Sequence, residues 1–187
     1  MIKYNLITYV LSIISIVLFL GCNDAKNKTE NELLITKAII KKFTDNPSND
    51  FYTNCIFQKG LPIVFNKKEN LELVKTTLNL NDDFETKVKN AEFFSIPDTL
   101  LPKLNIITQK QIDSLEAIKD TKDRRTIYEE LSCSDGLLSI TKPIYNYEKT
   151  KAYISLYFHC SGICEKKGMF FLSFENNLWS IEKTLID

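Results

Sequence analysis

Histidine is almost absent from this chain: one residue, His159, in 187. A closed zinc site or a histidine-based acid–base pair has a single imidazole to draw on. An excess of either charge is absent as well. Lys plus Arg number 24, and so do Asp plus Glu. Neither a basic surface for nucleic acid nor an acidic cation store is expected from such totals. No Gly-rich phosphate loop, no G-x-S-x-G and no H-E-x-x-H occurs. The adjacent acids Asp82-Asp83 and Glu129-Glu130 fall in helical, solvated contexts. No internal repeat or low-complexity tract is found. These gaps point away from an enzyme, and no cofactor is expected.

What is present suits one globular domain. The length fits a single domain. Apolar content of 44% and charged content of 26% are ordinary for a soluble fold. The amino end is different. Lys3 precedes Leu6 to Leu20, an uncharged and almost wholly apolar run. It is short for a membrane-spanning helix, which needs roughly 20 apolar residues, and has the length of a signal-peptide core. Gly21-Cys22 follows, and then the polar segment from Asn23 to Asn31. The stretch Leu18-Phe19-Leu20-Gly21-Cys22 resembles the lipobox of bacterial lipoproteins, with Phe19 where that motif has Leu. The resemblance implies export, cleavage before Cys22 and lipidation of Cys22, with palmitate among the acyl chains. Several acyl chains would hold the protein on a membrane. The expected organisation is a signal peptide over 1–21, a polar tether over 22–31 and one α+β domain over 32–187.

Within that domain the first two thirds read as mostly helical. Glu30 to Phe43 carries Leu33, Leu34, Ala38, Ile39, Ile40 and Phe43 at helical spacing, with lysines largely opposite. A turn-rich cluster over 45–49 stops it. Thr53 to Gln58 and Pro62 to Phe65 read as short strands or extended loop. Leu71 to Leu80 fits helix or strand equally. Asp82 to Phe93 reads as helix, with Phe84, Val88 and Ala91 on one face. Leu104 to Ile107 is a candidate strand. Thr108 with Gln111 makes a capping-box pattern before a helix at 109–118 that buries Ile112 and Leu115. Thr121 to Leu131, burying Ile127, Tyr128 and Leu131, is a second helix or a continuation interrupted near Asp120.

From Leu137 the period changes to two. Strands are expected over 137–144, 151–158, 168–174 and 178–185, joined by local turns at 146–149 and Asn176-Asn177. This makes an antiparallel meander of about four strands, with Pro143 near the end of the first. The alternation puts Ala152, Ile154, Leu156 and Phe158 on one face. Tyr153, Ser155, Tyr157 and His159 share the other, and Trp179 shares a face with Ile181.

The candidate site residues follow from this frame. An exported chain meets an oxidising compartment, so its cysteines read first as disulfides. Cys22 goes to lipid, leaving Cys55, Cys133, Cys160 and Cys164. Four cysteines allow three pairings. The favoured one joins Cys160 to Cys164 across the strand corner and Cys55 to Cys133 across the domain. A thiol-exchange reading of Cys160 and Cys164, or a soft-metal reading that adds His159, is the alternative. Both lack their usual setting: no helix follows the cysteines, and His159 and Cys160 point to opposite faces of a regular strand. No metal ligand set is assigned. The Tyr-bearing face, Tyr153, Tyr157 and His159 with Tyr145 and Tyr147 nearby, is a possible binding face. Its competing reading is a second packing layer beneath the chain between Phe51 and Leu80.

The segment from Leu137 to Glu182, read as ITKPIYN, KAYISLYFHC, CSGICEKKG and ENNLWSIEK, resembles a group of small uncharacterised bacterial lipoproteins and exported proteins. They share a C-terminal Cys-x3-Cys β-hairpin and a final Trp-bearing strand. Ser161 and Glu165 stand where that group has Gly, and so does Asn177. The resemblance implies export and an α+β fold, and carries no mechanism. The expected protein is therefore a lipid-anchored, extracytoplasmic binding or envelope module of the bacterial cell envelope. Its partners are the membrane, through Cys22, and an unidentified protein or small molecule.

Overall fold

The computed structural model describes residues 32–44, 51–65, 67–81, 84–89, 94–101, 103–119, 124–160 and 164–186. The apolar leader, Cys22, the tether, the turn at 45–49 and residues 161–163 lie outside the described residues. So does Ala91. The chain falls into two compact units, Met1–Leu34 and Ile35–Asp187, and the sheet belongs to the second. No helix among the described residues is long and apolar enough to cross a membrane.

The fold is α+β. Strands β1 (Cys55–Phe57), β2 (Asn105–Ile107), β3 (Leu137–Ile140), β4 (Ile144–Tyr145), β5 (Lys151–His159), β6 (Glu165–Glu175) and β7 (Leu178–Ile186) form one sheet. Its order is β2-β1-β3-β5-β6-β7, with β4 also paired to β5. The helices are α1 over 32–44, α2 (Lys68–Leu78), α3 (Phe84–Lys89), α4 (Gln109–Lys119) and α5 (Arg124–Glu130).

The expected meander is present as β3, β5, β6 and β7, all antiparallel. The sheet then continues past it. β1 lies between β2 and β3 and runs parallel to both. The first meander strand also divides, because Pro143 has no N–H to give the ladder. Thr141 spans the break. Its N–H donates to the Ser155 carbonyl at 3.0 Å, and its Oγ1 accepts the Ser155 N–H at 2.9 Å. The β6–β7 turn uses Asn176 and Asn177, both at positive φ (51° and 62°), as tight hairpins require.

One sheet face carries the main core. Ile35, Ile39 and Phe43 recur every fourth residue on α1, with Ile40 beside them. They share a buried cluster with Ile154, Leu156, Phe158, Phe170 and Leu172. Phe43 meets Phe51 at 5.4 Å and Phe170 at 4.9 Å between ring centroids, both edge-on. Each such pair contributes about 0.5–1.5 kcal/mol beyond the area it buries. The stripe turns on Ile35, where the sequence reading had Leu34; Leu34 is exposed.

The opposite face holds two clusters. Val74 and Leu78 of α2 and Phe84 of α3 pack with Tyr153, Met169 and Phe171. Ile112 and Leu115 of α4, Ile127 and Tyr128 of α5, and Leu131 just after it pack over Phe57, Ile107 and Leu137. Helix ends fix both pairs. Asn79 is left-handed, and the Leu80 N–H reaches back to the Lys75 carbonyl at 2.9 Å. That closure ends α2 and settles the ambiguous 71–80 segment as helix. Ser132 plays the same part for α5, where the Cys133 N–H donates to the Tyr128 carbonyl at 2.7 Å. The capping box before α4 forms as expected. The Thr108 N–H donates to Gln111 Oε1 at 2.8 Å, and the Gln111 N–H to Thr108 Oγ1 at 3.3 Å.

Candidate functional site

β5 is the strand that sorts the candidate residues. Its even-numbered side chains enter the main core, and its odd-numbered ones rise on the opposite face. That face does not stay together as one surface. Tyr153 is 1% exposed. Phe65 stacks on it at 5.9 Å and Phe171 approaches at 5.4 Å. Its hydroxyl shares a hydrogen bond with Ser155 Oγ at 2.5 Å. The chain between Phe51 and Leu80 covers it, as the packing-layer reading expects. Tyr157 is half-buried, and its ring lies 5.2 Å from the Lys167 ammonium. Lys167 is held there, since it also donates to the Val64 carbonyl at 3.2 Å. Tyr145 packs on Trp179 at 5.9 Å within the main-core cluster, and Tyr147 is exposed at its turn. Neither joins Tyr157.

His159 ends β5 and is half-buried. It lines an open cavity of about 250 Å³ beneath α4 and α5. Phe57, Leu61, Leu137 and Ser139 line it from the sheet side, and Gln109, Ile112 and Glu116 of α4 with Ile127 and Tyr128 of α5 line it from the helices. Register explains the grouping. Leu137 pairs with His159 and Ser139 with Tyr157, so Ser139 and His159 are diagonal neighbours on one face. Such neighbours stand roughly 7–8 Å apart. That is a backbone separation, and both side chains line the same cavity.

The cavity gathers residues that the sequence reading did not single out: Gln109, Glu116 and Ser139. One signal for it was in the chain. Ser139 stands on the same face as Leu137 in a run of apolar residues, and a strand buried under helices normally carries an apolar side chain there. Glu116 had no comparable signal, because a charged residue on the exposed side of a helix is ordinary.

The four cysteines beyond Cys22 are joined as Cys55–Cys133 and Cys160–Cys164, with Cα atoms 5.6 and 5.5 Å apart. The first is enclosed, both partners being fully buried. Its positions come from β1 on one side and from the left-handed close of α5 on the other. The second joins the ends of β5 and β6, where the Cys160 N–H also donates to the Cys164 carbonyl at 3.3 Å. Cys164 is exposed, and Cys160 packs against the main-core cluster. His159 faces the cavity instead. The strand alternation thus separates the imidazole from its neighbouring sulfur. Among the described residues, no group of three or more His, Cys, Asp or Glu is placed to hold a metal ion.

No family model, curated protein or solved structure matches this chain.

Proposed function

We propose that the protein is a lipid-anchored, extracytoplasmic module of the bacterial cell envelope that binds and does not catalyse. The observation that carries the reading is the cysteine arrangement. Every cysteine other than Cys22 sits in a disulfide pair, the pattern of a chain that matures under oxidising conditions. Cys22 stands alone, directly after an apolar run of signal-peptide length and a small residue. The likeness of the C-terminal hairpins to small exported lipoproteins agrees with this reading. Lipid on Cys22 would make the membrane the first partner, and the polar 22–31 segment would hold the domain clear of it.

Fractionation tests the anchor. Wild-type protein is expected with the membranes, and Cys22→Ser protein in the soluble extracytoplasmic fraction. A Cys22→Ser chain that stays with the membranes would show an uncleaved apolar anchor instead.

A second reading makes Cys160 and Cys164 a thiol-exchange or soft-metal corner beside His159. The exposure of Cys164 favours it, since an exchanging sulfur must be reachable. Thiol counting separates the two. Zero free thiols in protein purified without reductant, and slow reduction by a mild dithiol, supports the structural staple. Rapid reduction with the fold retained supports exchange.

A further inference from the structure

The cavity under α4 and α5 can be read for what it would hold, and that step rests on the binding-module reading above. Its volume is about 250 Å³. At roughly 30 Å³ per water-sized group, that admits about eight to ten non-hydrogen atoms. Small-molecule sites are mostly apolar with a few convergent polar groups, and this one fits. Phe57, Leu137 and Ile112 supply apolar surface from β1, β3 and α4. The polar groups are unequal. Among the described residues of the lining, Glu116 is the one carboxylate and none is Lys or Arg, while Gln109 and Tyr128 are polar without charge. Ser139 and His159 offer hydrogen bonds from the floor. The cavity therefore selects against an anion and favours a hydrogen-bond-donating cation with a compact apolar body. From this charge and volume we infer that it is a binding site for a small primary amine bearing one ring, with the ring on Phe57 and Leu137 and the ammonium toward Glu116.

The single histidine of the chain makes the test direct. Protein labelled with ¹⁵N only in histidine gives one imidazole reporter, and that reporter sits in the cavity. The full chain, kept in detergent micelles at fixed pH, is titrated with 2-phenylethylamine (nine non-hydrogen atoms) and, separately, with phenylacetate (ten). The two probes share a ring and a short stem and differ in the sign of the head. The expected result is a saturable His159 shift for the amine. Its midpoint should lie at least about fivefold below that for the acid, the size of effect a solvent-screened carboxylate gives. Glu116→Gln should still saturate with the amine while narrowing that ratio to below about twofold, again because one screened charge is removed. Ile112→Trp should abolish saturation by filling the cavity. If Ile112→Trp does not fold, Gln109→Trp on the exposed rim blocks entry in its place.

Three outcomes overturn the inference: no saturable shift with the amine, equal midpoints for the two probes, or undiminished saturation when the cavity is filled or blocked. Failure of the anchor reading looks different. A chain that stays on membranes after Cys22→Ser yet titrates as expected loses the lipid anchor and keeps the site. A chain that is released yet does not titrate keeps the anchor and loses the site.

Discussion

Gly136 shows how much can rest on one residue. Its φ is +122°, a region that only glycine enters without strain. A Cβ there would stand 2.7 Å from the His159 carbonyl oxygen and 2.8 Å from the Phe158 ring. The same residue accepts the Thr53 hydroxyl at 2.6 Å and donates its N–H to the Cys133 carbonyl at 2.9 Å. It thus ties the approach to β1 to the turn after α5, close against the end of β5. Gly136→Ala is expected to destabilise the domain by more than about 1 kcal/mol, the loss typical of an incompatible backbone. A denaturation midpoint equal to wild type would sink that account. The sequence marks Gly136 only as a loop glycine, since nothing nearby in the chain shows that β5 returns against it. Tyr153 was half-legible in the same sense. The alternation put it on the right face, but whether that face is open depends on α2, dozens of residues away.

At the scale of elements, legibility followed the range of the interaction. The capping box of α4, the closing asparagines of the last hairpin and the period-two strands are local, and each reads directly from adjacent residues. The parallel pairing of β1 with β2 and β3 joins segments far apart in sequence, and three-residue strands carry no pattern long enough to announce a register. β7 gives a subtler case. Ile181 packs with the main core while Leu185 packs on the opposite face, although even spacing would put them together. A register shift at Phe171/Leu172 lies between their partners, and one extra residue inverts every side chain beyond it. The break between β3 and β4 is testable. Thr141 is fully buried, and its hydroxyl oxygen satisfies the Ser155 N–H. Thr141→Val keeps the shape and removes the acceptor. The expected cost is about 1–3 kcal/mol, the penalty for a buried donor left unsatisfied. It should be read as a lower urea midpoint with an unchanged slope. No shift of the midpoint would mean that another group accepts the N–H.

Across the whole molecule, the Cys55–Cys133 bond is the long-range constraint. It closes 78 residues of sequence and fastens β1 to the approach to β3. On the chain-entropy account a loop of that length is worth about 4–5 kcal/mol. The Cys55→Ala/Cys133→Ala double variant should lose a comparable amount in chemical denaturation without reductant. A loss below about 1 kcal/mol would indicate that the denatured chain is already held compact by other means. Disulfide use and the α+β class could be read from composition and order alone. The cavity could not, because it is assembled by two helices crossing strands whose neighbours are set by this same long-range pairing.

The two disulfides also carry a consequence for biogenesis. Cys55, Cys133, Cys160 and Cys164 are joined in the order in which a ribosome makes them. Each first partner waits only for the next cysteine to emerge, and no bond skips over another. With Cys22 taken up by lipid, as proposed above, an oxidant acting on the other four as the chain arrives, amino end first, would form these bonds at the first attempt. A chain wired in this sequence needs a donor of disulfides and leaves a disulfide isomerase nothing to rearrange.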